Sequence, residues 1–145
     1  MGLHADARAA VVDFLTGYAA GAPGNPNSRM TVYPGRPASI AAPHGFIDSL
    51  RDAIAYTGPT LIQQTVIVEA IVVHGIFDSK EAVTQSDAFT DGLIEYQRTR
   101  YHEAGANTTI ALVETEDIPN YVPEWIAKQV TYYATRLDFE VYAGG

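Results

Sequence analysis

The segment Thr60–His74 restricts the fold of this chain more than any other, because it is dominated by Ile and Val over a length that reads as one long strand. Ile62, Val66, Val68, Ala70 and Val72 fall on one side of it, and Ile67, Ile71 and Val73 fall on the other. Such a strand needs a partner on each edge and, near its end, cover on both faces. The rest of the chain has to supply that cover.

Helical spacing supplies part of it. Ala7, Val11, Phe14, Leu15 and Tyr18 share one side of an amphipathic helix over residues 5–20, with Asp6 and Asp13 opposite, and Gly21 and Pro23 end it. A second helix is expected over Glu81–Glu103 after a turn at Gly75–Ser79. Phe89, Leu93, Ile94, Tyr96 and Tyr101 form its apolar arc, Asp87, Asp91, Glu95 and Arg98 the polar one, and Gly105 its cap. Short strands are expected at Met30–Tyr33 and Thr108–Glu114. A closing strand is expected at Val130–Tyr142, where Leu137, Phe139 and Val141 alternate with Arg136, Asp138 and Glu140.

Pro23, Pro26, Pro34, Pro37, Pro43 and Pro59 crowd into one stretch, which predicts an extended wrap over residues 29–59 with at most a short helix at Phe46–Tyr56. Pro119 and Pro123 likewise predict a loop from Asp117 to Trp125. The order helix, strands, helix, strands favours an α+β fold: a mixed, mainly antiparallel sheet with two main helices packed on one face. We expect a single domain over 1–145, divided into an N-terminal helix and loop (1–28), the proline-rich wrap (29–59), and the sheet with the second helix (60–145). A chain of 145 residues with 47% hydrophobic and 18% charged residues suits such a domain.

Charge narrows the function. The net charge of -8 sits mostly between Glu69 and Glu124, where the acids face only Lys80, Arg98 and Arg100. A sequence-independent grip on nucleic acid needs a cationic surface, so this chain is a poor candidate for one. No apolar run reaches the roughly 20 residues of a membrane-spanning helix, and no membrane partner is expected.

The textual signatures of nucleophile elbows, phosphate loops, dinucleotide sites and zinc helices are absent. His4, His44, His74 and His102 stand at no ligand spacing, and there is no cysteine. Asp87, Asp91 and Glu95 stack along one helix face and could meet a hard cation. A solvated face with Glu95 paired to Arg98 is the preferred reading. No catalytic residue, cofactor or metal is assigned, and the chain is expected not to be an enzyme.

Five segments suggest a family: Val32-Tyr33-Pro34-Gly35-Arg36-Pro37, Pro43-His44-Gly45-Phe46-Ile47-Asp48, Val73-His74-Gly75-Ile76-Phe77-Asp78, Asn107-Thr108-Thr109-Ile110 and Tyr132-Tyr133-Ala134-Thr135-Arg136-Leu137. In their order and spacing the chain resembles the tail terminator proteins of long-tailed (siphovirus-type) phages that infect actinobacteria. The resemblance implies a virion protein assembled in the host cytoplasm, a hexameric ring that caps the tail tube protein, ends its polymerisation and meets the head–tail connector. DNA would pass through the lumen without specific binding.

Rings use heterologous contacts. The expected subunit or partner interface comprises Tyr33, Arg36, Phe46, Tyr121 and Trp125, and the expected channel-lining acids are Asp87, Asp91, Glu95, Glu114, Glu116 and Asp117. Two alternatives stay open: another neck or tail-completion protein, and a small α+β ligand-binding domain or enzyme.

Overall fold

The computed structural model describes residues 2–21, 30–40, 43–56, 58–59, 62–76, 80–99, 108–126 and 130–143. The elements are α1 (Leu3–Gly21), β1 (Thr31–Tyr33), β2 (His44–Tyr56), β3 (Ile62–Ile76), α2 (Lys80–Thr99), β4 (Thr108–Tyr121) and β5 (Tyr132–Ala143). The strands form one sheet in the order β1-β2-β3-β5-β4. Only β1 with β2 is parallel; the other three pairings are antiparallel. The fold is α+β, as the pattern of elements predicts.

β3 lies at the centre because it is apolar on both sides. Its Val66, Val68, Ala70 and Val72 stand opposite Val141, Phe139, Leu137 and Thr135 of β5. With Ile47 and Ile110 all of these but Thr135 make the apolar floor on which the helices rest. α1 contributes Ala7, Val11, Phe14, Leu15 and Tyr18, all buried, and α2 contributes Phe89 and Leu93. Phe14 meets Tyr96 and Phe139 edge-on at 5.1 and 5.6 Å, and Tyr18 meets Phe89 at 5.3 Å, so both helices share one face of the sheet. Each fully buried large side chain contributes about 1.5–3 kcal/mol.

The helices approach closely because each carries a glycine under the other's tyrosine. A Cβ at Gly92 would stand 2.2 Å from the Tyr18 hydroxyl, and one at Gly17 would stand 2.9 Å from that of Tyr96. Tyr18 uses the space to donate to the Phe89 carbonyl at 3.1 Å.

Several local expectations are corrected. Phe46–Tyr56 is not a helix. It belongs to β2, which pairs with β3 along its whole length. Without it β3 would lack a backbone partner on that edge, so the demand of the ladder overrides the helix-like spacing of Phe46, Leu50 and Ile54. A bulge between Ile47 and Ser49 also resets the alternation, so that Ile47 and Leu50 join the helix-side core while Phe46 faces the other way. Pro43 and Pro59 flank this strand, and Pro34 and Pro37 lie in the crossover from β1, so the wrap is shorter than its prolines suggest.

Glu114, Glu116 and Asp117 lie on a strand, because β4 continues to Tyr121. It is an edge strand, and bulges at Leu112/Glu114 and Ile118/Tyr121 accommodate Pro119. The apolar arc of α2 is also narrower than its sequence suggests. Ile94 is exposed, whereas Ala82, Ser86 and Gln97 are buried. Gly105, Tyr101 and the end of the predicted second helix fall outside the described residues.

Candidate functional site

The face of the sheet turned away from the helices holds a second, smaller core. Phe46, Ile71, Val73 and Ala134 are buried there, with Ile40, Ile118, Tyr121, Trp125 and Tyr132 packed against them. The parallel β1–β2 pairing sends the intervening chain across this face, and the end of β4 delivers Tyr121 and the turn carrying Trp125 to the same place.

The contacts are specific. Trp125 stands edge-on to Phe46 at 5.4 Å, and its indole Nε1–H donates to the Pro37 carbonyl at 2.7 Å. The Arg36 guanidinium lies over the indole, 4.8 Å from the ring centroid, while its Nε donates to Asp48 Oδ1 at 2.8 Å. Tyr33 leans on His44 at 4.6 Å. A recess of about 160 Å³ remains beside them, lined by Arg36, Asp48, Tyr121, Val122, Glu124 and Trp125.

Tyr33, Arg36, Tyr121 and Trp125 are therefore neighbours, as an interface would require. Phe46 is a correction to that set. It is completely buried and serves as the anvil for Trp125, so it offers no surface in this conformation.

Carboxylates crowd the strands beyond this cluster. Glu69 of β3 faces Asp138 of β5, and the bulge in β2 brings Asp48 beside them. Burial raises the Glu69 carboxyl above its ordinary range, and the charges of Asp48 and Asp138 add to the effect. Burial likewise pushes up the Tyr121 phenol, helped by the charge of Asp48. Arg136 ties the far side together, with Glu114 at 3.1 Å and Glu116 and Asp138 each at 3.7 Å.

The six acids expected along a channel divide between the two faces. Glu114 and Glu116 belong to the open face with Arg136. Asp87, Asp91 and Asp117 line a recess of about 390 Å³ between α2 and β4, together with Thr90 and Thr115. Glu95 is exposed on α2 and paired with Arg98, as its spacing predicts. Among the described residues no group of three or more His, Asp or Glu side chains is placed to hold a metal ion.

Behind that recess runs a polar chain that sequence reasoning missed. His74 Nε2 and Thr135 Oγ1 are 2.9 Å apart, and Thr135 Oγ1 and Ser86 Oγ are 3.0 Å apart. Ser86 donates to Asp117 Oδ1 at 3.3 Å, and the Tyr133 hydroxyl donates to Asp117 Oδ2 at 3.2 Å. The residue types resemble those of a nucleophilic site, but the geometry does not. Ser86 and Thr135 are wholly buried, and burial lowers the His74 imidazole to about 4, with Asp117 opposing the shift only in part. A base so weak and so enclosed would not activate a hydroxyl at neutral pH. The chain pins α2 to β3, β4 and β5. Ser86 in the apolar stripe of α2, between Ala82 and Phe89, was the available signal. Nothing in the sequence marks Asp48, Glu69 and Asp138 as neighbours.

No protein-family model and no curated protein matches the chain. Among solved structures, a chain from "Virion of native gene transfer agent (GTA) particle" superimposes with a TM-score of 0.49 at 14% identity, covering 99% of this chain and 98% of that chain.

Proposed function

We propose that the chain is a structural protein of a phage-like particle, a tail terminator whose copies form a ring at the head-proximal end of the tail. One observation carries the reading. Four of the five segments on which the family resemblance rests meet, in their described residues, at one end of the sheet: Val32–Pro37, Pro43–Asp48, Val73–Ile76 and Tyr132–Leu137. The register places His44 beside Val73, Val73 beside Ala134 and Phe46 beside Ile71, which in turn stands beside Arg136. Segments distant in sequence thus build one surface, around Trp125, and that surface is an aromatic and charged patch of the kind enriched at protein interfaces.

In this reading the ring is a hexamer that caps the tube protein and meets the head–tail connector. The channel-lining acids are narrowed to Asp87, Asp91, Glu95 and Asp117, since Glu114 and Glu116 share Arg136 on the opposite face. A wall of like charge would let DNA pass without holding its phosphates.

The test is to measure the mass of the purified protein in solution and to image it with tail tubes. Rings at one tube end support the terminator. Rings that attach only to the head-side connector favour a different neck protein, and tails of normal length after deletion of the gene overturn the proposal.

A further inference from the structure

The acids of the open face form a row across four strands. The register sets Glu69 of β3 opposite Asp138 of β5 and Asp138 opposite Glu114 of β4, while the bulge after Ile47 brings Asp48 of β2 beside Glu69. Like charges on neighbouring strands repel, so such a row needs cations or protons. Among the described residues two guanidiniums reach it. Arg36 pairs with Asp48, and Arg136 pairs with Glu114, Glu116 and Asp138. Glu69 is the member that pairs with neither.

Glu69 is instead hydrogen-bonded to Asp48. Two ionised carboxylates are both acceptors and cannot make that bond, so one of them carries a proton. Asp48 accepts the Nε–H of Arg36 at 2.8 Å, which favours its ionised form. The proton therefore belongs to Glu69, which donates it to Asp48. Further ionisable groups on this face are Arg51 and Glu140, one row along and opposite Ile67, and Tyr121, Glu124 and His44 towards the strap.

Asp48 thus stands between Glu69 and the guanidinium that lies over the Trp125 indole. Glu69 is fixed by ladder partners on both sides, Ser49 and Asp138, whereas Asp48 sits in the bulge and has no ladder partner. The strap that carries Arg36 is tied at Pro34 by Arg8, at Pro37 by Trp125 and at Ile40 by the small core. The Arg36 side chain itself is 54% exposed. The parts with room to move are the Asp48 carboxylate and the head of Arg36.

We propose that Glu69 and Asp48 share one proton in the folded chain and that its loss works as a switch: the two carboxylates part, Asp48 turns away from Glu69, and the Arg36 guanidinium shifts on the Trp125 indole. The open face thereby changes its charge and its aromatic patch together as pH rises. This inference does not depend on the ring reading, because every group in it belongs to one chain.

Trp125 is the only tryptophan in the chain, so its emission reports on the Arg36 contact. The experiment takes the full chain from about pH 4 to about pH 8 and follows the Glu69 side-chain carboxyl carbon by NMR and the Trp125 emission by fluorescence. Glu69→Gln, which keeps a donor for Asp48 and has no proton to lose, is the reference. Both wild-type titrations decide the outcome without it should the variant fail to fold.

Glu69 is expected to titrate above the ordinary 4.5 of a glutamate, and the wild-type emission to change with the same midpoint. That step should be missing from Glu69→Gln. A Glu69 midpoint at or below 4.5 overturns the shared proton. Emission that stays flat through the Glu69 midpoint, or a step that persists in Glu69→Gln as titration of His44 or Glu124 would give, overturns the link to Arg36.

Discussion

On the helix side of the sheet, water is excluded by stacking: two amphipathic helices lie over the apolar residues of β2, β3, β4 and β5, with the His74 chain and the buried Gln97 as polar breaks in the apolar interior. On the opposite side a small core of Phe46, Ile71, Val73 and Ala134 is roofed by a strap and a turn, and the remaining area is a lattice of carboxylates around Arg136. The two faces show how one sheet divides its work. The first holds the fold, and the second is left with polar and aromatic groups that stability does not require in that arrangement. An arrangement not required for stability is where binding is expected.

If that division is right, the largest loss of stability comes from the closed face. Phe139→Ala removes a fully buried ring at the centre of the helix-side core and is expected to cost about 3–5 kcal/mol in urea denaturation. A cost no greater than that of Trp125→Ala, which truncates the half-buried roof of the open face, would break the contrast.

A second test asks whether the polar chain inside the closed face is sealed from water. Folding holds the His74 imidazole at about 4, below the 6.5 of the unperturbed side chain, so it stays neutral in the folded protein. Below pH 6.5 the unfolded chain takes up a proton that the folded chain refuses. The contribution is thus complete above that pH and is lost as pH falls towards 4, by about 3 kcal/mol at the lower end. Denaturation across this window should show a steeper loss for wild type than for His74→Gln. Equal slopes would mean that the site is wet.

The smallest effect belongs to the charged half of the open face. Glu116 is exposed and lies 3.7 Å from Arg136, so Glu116→Gln is expected to change stability by less than about 0.5 kcal/mol. A larger loss would show that the carboxylate lattice holds the sheet together, and would sharpen the view of that face accordingly.

The periodicity of the chain determined much of this architecture. The inward residues of α1 and the two-sided character of β3 follow from spacing alone, because burial repeats with the helical or strand period. So does the alternation of Leu137, Phe139 and Val141 with Arg136, Asp138 and Glu140. The pairing of Glu95 with Arg98 was equally legible, being local.

Tertiary structure decided the rest. Phe46–Tyr56 carries helix-like spacing and is bounded by prolines, yet it is a strand because β3 needed a partner along its open edge. Bulges, which have no sequence period, put Leu50 on the same face as Ile47 and carried β4 past Glu116 and Asp117 to Tyr121. The gathering of Arg36, Asp48 and Trp125 into one recess, and of His74, Ser86, Thr135 and Asp117 into one chain, depends on strand order and register, which long-range pairing sets and neighbouring residues along the chain cannot.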